Sequence, residues 1–105
     1  MPTRKKSEAL RFMEGVTKGP LTLGRLIKSI REGEGESQVA FAKRLGISRS
    51  HLCDIEKDRK PVGPGRAAEL ARKLGYLEAQ FVRLALQAQI KRARLKFDVY
   101  VEARQ

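Results

Sequence analysis

Apolar residues between Thr22 and Gly75 recur every three or four positions, and glycines interrupt this pattern repeatedly. Such spacing is typical of amphipathic helices that bury one face, and a Ser or Thr ahead of a helix can cap its N-terminus. The pattern predicts four helices: Thr22–Glu32, Gln38–Leu45, Ser48–Lys57 and a last one that begins at Pro64 or Gly65 and is closed by Gly75.

The second and third predicted helices are short and lie on either side of Gly46. Glycine adopts the left-handed backbone of a helix C-terminus at little cost. Two helices packed across a tight glycine turn form a helix-turn-helix, which places one helix across the phosphate backbone and the next in the major groove of DNA. The apolar residues expected to form the core are Leu23, Ile27, Ile30, Val39, Phe41, Ala42, Leu45, Ile47, Leu52, Ile55, Ala67, Leu70, Ala71 and Leu74.

A fifth, longer helical pattern runs from Leu77 to about Leu95 and carries two apolar stripes instead of one. The first stripe contains Leu77, Phe81, Leu84 and Ala88, and the second contains Val82, Leu86 and Ile90. A helix with one wet face needs a single stripe. Two stripes indicate burial against the domain on one side and against a partner on the other, and a broader buried face within one subunit is the alternative.

The segment Phe97–Glu102 alternates apolar and polar residues, with Phe97, Val99 and Val101 on one side. This is the periodicity of a β-strand. No other segment reads as a strand, and a lone strand leaves its backbone groups unpaired. We therefore expect it to pair with another chain, either a second copy or a different protein, and a disordered tail is the competing interpretation.

Residues 1–20 are polar and basic, and Ser7–Glu14 could form one or two helical turns before Gly15, Gly19 and Pro20. A basic arm of this kind can enter the minor groove beside a bound helix-turn-helix. A frayed terminus is the alternative.

The charge of the chain is strongly unbalanced, with 23 Lys and Arg against 12 Asp and Glu, a net charge of +11 and a pI near 10.4. Such a balance suits a polyanionic partner, nucleic acid before an anionic membrane, although a solvated basic surface would give the same number. Aromatic residues make up 6% of the chain and form no strand-borne cluster for stacking single-stranded bases. Duplex DNA is therefore the expected partner.

Length and composition restrict the remaining classes. At 105 residues the chain is most simply one domain, and no apolar run is long enough to cross a membrane. The single cysteine fits a reducing compartment, so we expect a cytoplasmic, nucleoid-associated protein. His51 and Cys53 point in different directions on a helix, and no metal-ligand spacing or glycine-rich phosphate loop is present, so no enzyme activity, metal or cofactor is expected.

The stretch Leu23–Gly75 resembles the phage repressor and Cro family of helix-turn-helix domains, also called the XRE family. The matching pieces are Ser37-Gln38, the turn Leu45-Gly46-Ile47-Ser48, Leu52, Ile55-Glu56, a basic loop, and a fourth helix that ends at Leu74-Gly75. The resemblance covers about half of the chain and neither residues 1–20 nor residues 77–105. The chain departs from the family pattern in the loop Pro61–Gly65, which is rich in proline and glycine. The residue at which the fourth helix begins is therefore not fixed by the resemblance.

The resemblance implies roles in DNA binding for eight residues of this stretch. Arg49 and Ser50 begin the third helix and would contact bases, since Arg pairs with guanine O6 and N7 and Ser accepts either kind of partner. Asp54, one turn on, would accept from a cytosine amino group, or instead repel phosphate or orient Arg49 or His51. The residues expected to contact phosphate are Gln38, His51, Lys57, Arg59 and Lys60.

Arg31 and Glu56 stand at family positions where an ion pair ties the first helix to the end of the third. Two independent solvated charges, worth little energetically, are the alternative. If the two residues pair, Glu56 is structural and does not read bases.

Pattern and resemblance together predict an all-α, five-helix repressor-like helix-turn-helix domain with a long C-terminal helix and a short C-terminal β-strand. Residues 1–20 would form the arm or short helix, residues 21–76 the DNA-binding domain, and residues 77–105 the dimerisation or partner segment. That segment would act through Phe81, Val82, Leu86, Ile90, Phe97, Val99 and Val101.

The expected function is sequence-specific binding of double-stranded DNA by a transcriptional regulator. It would repress by occluding a promoter, as a homodimer on a palindromic operator. The alternative is an antitoxin that binds its own operator and a toxin protein, with the C-terminal strand or the basic N-terminal segment added to the toxin's sheet. A nonspecific architectural DNA binder is a third possibility, which the net charge permits.

Overall fold

The computed structural model describes residues 21–104 of the chain. This part forms five α-helices and no strand: α1 Leu23–Gly33, α2 Gln38–Leu45, α3 Arg49–Glu56, α4 Pro64–Leu74 and α5 Glu78–Arg92. The predicted all-α class and five helices are confirmed, and the predicted bounds differ from these by no more than three residues. The arm or helix expected within residues 1–20 lies outside the described residues. Among residues 21–104, no helix is both long enough and apolar enough to span a membrane.

Local hydrogen bonds define the helix ends. The hydroxyls of Thr22, Ser37 and Ser48 each accept a hydrogen bond from the backbone N–H three residues later, which caps the first three helices. Gly46 and Gly75 end α2 and α4 in the left-handed region, at φ 73° and 75°. These ends agree with the prediction because caps and glycine stops are encoded within a few residues of each terminus.

The helices pack around one core that includes Ile27, Phe41, Leu45, Leu52 and Leu70, all almost completely buried. One predicted core residue is wrong, because the side chain of Val39 is 64% exposed. At 100° per residue, position 39 lies about 110° from the centre of the inward face of α2. The position on that face at the start of α2 belongs instead to Gln38.

Helix α5 packs chiefly against α4. Phe81 and Leu84 of its first apolar stripe enter the core, whereas Leu77 is 50% exposed and Ala88 is half-buried. Phe81 is fully buried and meets the ring of Tyr76 edge-on, with centroids 6.1 Å apart. Phe81 therefore has no surface left for a partner. Val82, Leu86 and Ile90 are half-buried and keep part of their surface in solvent.

The C-terminal segment Phe97–Glu102 forms no strand in the single chain, so that prediction is wrong at this level. A strand needs a neighbouring strand, and none lies among the described residues. Arg94, two residues beyond the end of α5, lies in the left-handed region at φ 59° and turns the chain. The side chain of Gln87 then holds the segment on α5: its Nε2 donates to Phe97 O at 2.8 Å, and its Oε1 accepts from Val99 N at 2.8 Å.

Candidate nucleic-acid interface

The first turn of α3 presents its side chains to solvent beside the N-terminus of α2. Arg49 and Ser50 are both exposed there. A backbone hydrogen bond closes the turn between the helices, since Ile47 N donates to Ala42 O at 3.0 Å around the left-handed Gly46. A basic and a hydroxyl side chain thus project from a helix end whose direction is set by a well-bonded turn.

Gln38 connects this exposed turn to the interior of the fold. Arg49 Nη1 donates to Gln38 Oε1 at 3.3 Å, and Gln38 Nε2 donates to Glu56 Oε1 at 3.1 Å. A carboxylate only accepts hydrogen bonds, so Glu56 requires the amide nitrogen of Gln38 to face inward. The amide oxygen of Gln38 must then face Arg49.

Glu56 is held in turn by Arg31 through two hydrogen bonds. Arg31 Nε lies 2.7 Å from Glu56 Oε2, and Arg31 Nη2 lies 3.0 Å from Glu56 Oε1. The Glu56 side chain is only 2% exposed, and this forked geometry is the strong form of an Arg–carboxylate pair. The hydrogen bond to Glu56 raises the pKa of Arg31 above its usual value.

Arg31 also donates from Nη1 to Glu36 O at 3.0 Å, ahead of α2. The contacts from Arg31 through Glu56 and Gln38 to Arg49 therefore join α1, α2 and α3. The structure brings these four residues together, and Gln38 reaches both the interior and the exposed turn.

Asp54 forms an ion pair with Arg59 and, within residues 21–104, no hydrogen bond or ion pair with Arg49 or His51. Arg59 Nε lies 3.2 Å from Asp54 Oδ1, and Arg59 N donates to Asp54 O at 2.8 Å. Arg59 Nη2 also donates to the sulfur of Cys53 at 3.7 Å. The basic loop thus folds back on α3, and Arg59 balances the negative charge of Asp54.

The other residues expected at phosphates lie around the same helix. Lys57, directly after α3, and Lys60, in the loop that follows, are both exposed, and His51 on the first turn of α3 is half-buried.

Arg44, by contrast, is bound by two acids, with Nη1 2.6 Å from Glu34 Oε2 and 2.8 Å from Glu36 Oε1. These contacts raise the pKa of Arg44, with Glu34 contributing most. Not every basic side chain near α2 is free to meet phosphate.

Sequence reasoning missed a close approach between α1 and the end of α3. A Cβ at Gly24 would overlap the carbonyl oxygen of Ile55 and lie 2.5 Å from Asp58 Oδ1. Thr22 Oγ1 donates to Asp58 Oδ2 at 2.9 Å beside it, and Asp58 is left-handed at φ 57°. A glycine in the first turn of a capped helix, where alanine is favoured, was the available signal.

The chemistry of this surface is that of contact with an anion. Among residues 21–104, no three His, Cys, Asp or Glu side chains are grouped so as to hold a metal ion. The exposed groups are guanidinium, ammonium, hydroxyl and amide, which donate hydrogen bonds to phosphate and to base edges.

Comparison with known proteins gives two matches. A family model described as "Helix-turn-helix domain" matches residues 22–84. An immunity repressor protein from Bacillus phage phi105 is 46% identical over 39 residues, which make up 37% of this chain and 27% of the relative. The aligned part thus spans about a quarter of the relative's length. No solved structure matches the chain significantly.

Proposed function

Because the chain belongs to the helix-turn-helix domain family, we propose that it is a transcriptional regulator that binds double-stranded DNA sequence-specifically. The observation that carries the proposal is the exposed first turn of α3, where Arg49 and Ser50 project while Gln38 holds Arg49 from the side. The similar phage protein bears the name immunity repressor, which supports repression as the mode of regulation.

In the proposed complex, α3 enters the major groove with its N-terminus foremost. Arg49 pairs with guanine O6 and N7, and Ser50 bonds an adjacent base. Because Gln38 engages only Nη1 of Arg49, the other guanidinium nitrogens remain available. The contact to Gln38 limits the rotamers of Arg49, so less conformational entropy is lost on binding.

Phosphate contacts fix the position of α3 along the groove. The second N–H of Gln38 and the first backbone N–H groups of α2 face one phosphate, with the positive end of the helix dipole behind them. His51, Lys57 and Lys60 reach the backbone on the other side of the groove. In the free protein Arg59 balances the charge of Asp54. When Arg59 moves to a phosphate, the Asp54 carboxylate accepts a hydrogen bond from a cytosine amino group.

The regulator acts as a homodimer on a palindromic operator and occludes a promoter. One small domain offers limited contact area, and two copies place two α3 helices in half-sites about 34 Å apart. The partly exposed Val82, Leu86 and Ile90 of α5 supply an apolar surface for a second copy.

Selection of bound sequences from random duplex DNA tests this proposal. We expect a twofold-symmetric motif whose half-sites are separated by one helical turn, with a guanine at the position that becomes degenerate in Arg49→Ala. A specificity ratio near one at physiological salt would instead indicate a nonspecific architectural binder.

The second candidate is an antitoxin that binds its own operator and a toxin protein. The exposed side chains of the C-terminal segment favour it, since Tyr100 is 88% and Phe97 64% exposed. Co-purification of a small, separately encoded protein would support this function if that protein no longer co-purifies when residues 95–105 are deleted.

A further inference from the structure

The hydrogen bonds between Gln87 and the C-terminal segment define which edge of that segment is occupied. One amide bonds both the carbonyl of Phe97 and the N–H of Val99, as a residue on a neighbouring parallel strand would. Both groups must then point to the same side, which requires an extended backbone between them. In an extended chain, successive residues direct their backbone groups to opposite edges.

The opposite edge is therefore formed by Asp98 and Tyr100, which face away from α5. Within residues 21–104, their backbone groups make no hydrogen bond, while those of Phe97 and Val99 are bound by Gln87. A row of unpaired N–H and C=O groups at an exposed edge is a template for another extended chain.

The sequence around Val99 is complementary to itself when two copies run antiparallel. Centred on Val99, the register places Lys96 opposite Glu102 of the second copy and Phe97 opposite its Val101. Opposite charges and aromatic–β-branched pairs are both favourable across antiparallel strands. The tail thus carries charge and apolar complementarity for its own copy.

We infer that residues 96–102 of two copies pair as an antiparallel ribbon centred on Val99. Asp98 and Tyr100 of one copy form the hydrogen-bonded pairs with Tyr100 and Asp98 of the other, which uses the edge that Gln87 leaves free. Phe97, Val99 and Val101 of both copies lie on one face of the ribbon. The inference rests on the proposed homodimer, and it adds to the proposed α5 contact a second contact with a defined segment and register.

A cysteine at the centre of the ribbon tests the register directly. The two Val99 residues form a non-hydrogen-bonded pair with Cα atoms about 4.5 Å apart, within the range of a disulfide. In the full chain carrying Cys53→Ser, we expect Val99→Cys to give mostly disulfide-linked dimer under mild oxidation. The matched control is Asp98→Cys. In the ribbon the Cα atoms of the two residues at position 98 lie about 8 Å apart, so we expect this variant to remain unlinked. Equal linking of the two variants overturns the ribbon.

A charge exchange tests the same register without oxidation. Lys96→Glu and Glu102→Lys each place like charges opposite one another twice per dimer. We therefore expect each variant to raise the Kd of dimerisation about tenfold. The double variant restores opposite charges, and we expect its Kd within about threefold of wild type. A double variant about a hundredfold weaker overturns the register. An unchanged Kd in all three variants also overturns the ribbon, and the free edge would then be available to a different protein.

Operator selection separates failure of the ribbon from failure of the proposed function. A twofold-symmetric operator bound by a chain whose Val99→Cys variant does not link overturns the ribbon and leaves the regulator intact. A Val99→Cys variant that links efficiently while the wild type shows no sequence preference supports the ribbon and overturns the regulator.

Discussion

The first turn of α3 and the segment after α5 both expose groups that can form hydrogen bonds, but the fold holds them differently. Arg49 is supported by Gln38, which is supported by Glu56 and the buried contact to Arg31. Among the described residues, the hydrogen bonds that hold the C-terminal segment on α5 come from the side chain of Gln87. The first turn of α3 is thus preorganised by contacts from three helices, whereas the C-terminal segment is held by two hydrogen bonds from one residue.

The largest effect should come from the ion pair beneath α3. Glu56→Ala leaves the mostly buried Arg31 charge without its partner, and we expect the free energy of unfolding to fall by about 3–5 kcal/mol in urea denaturation. The control is Glu78→Ala, which removes an exposed contact to Arg72 at 3.1 Å and should cost less than about 1 kcal/mol. Similar losses of unfolding free energy in both variants would show that the Arg31–Glu56 pair does not stabilise the fold more than an exposed ion pair does.

The close approach of α1 to α3 gives the next effect. Gly24→Ala forces a methyl against Ile55 O, so we expect a loss of about 1–3 kcal/mol in the free energy of unfolding. Gly33, in the same helix, has nothing within 4 Å of an added Cβ, so Gly33→Ala should be neutral or stabilise by about 0.5–1 kcal/mol. A tolerated Gly24→Ala would mean that α1 can shift away from the loop.

Binding energies test whether the preorganised turn reads bases. Arg49→Ala should weaken operator binding by about 1–3 kcal/mol and binding to random duplex far less, since only the operator offers the guanine contact. Lys57→Ala should weaken both equally and reduce the slope of log K against log salt by about one. Titrations at several salt concentrations measure both, and equal losses for Arg49→Ala on the two DNAs contradict base reading.

The smallest effect concerns the lightly held segment. Gln87→Ala removes two hydrogen bonds, each worth about 0.5–1.5 kcal/mol, and should abolish protection of the Val99 amide from hydrogen exchange in the monomer. Gln89→Ala, an exposed position on the same helix, serves as the control. Unfolding of the helical core should be unchanged in both variants. Persistent protection of Val99 after loss of Gln87 would show that the segment is held by its apolar contacts.

The DNA-facing residues show how far local reasoning extends. The exposed positions of Arg49 and Ser50 follow from the cap at Ser48 and the period of one helix, which are local properties. The partner of Asp54 was not predictable in this way, because Arg59 reaches it only when the loop after α3 folds back. Gln38 was assigned to phosphate alone, and its inward bond depends on a carboxylate eighteen positions away in sequence.

The sequence by itself determined the five helices, their ends and most of the core, because capping, glycine stops and apolar spacing act over a few residues. It also carried the alternation of Phe97–Glu102, which predicts an extended segment. Only the tertiary structure decided which charges are matched, that Val39 stays outside, and that Gln87 bonds one edge of the tail. Those outcomes depend on side chains that meet across long sequence separations, and their distances exist only once α1, α3 and α5 are packed.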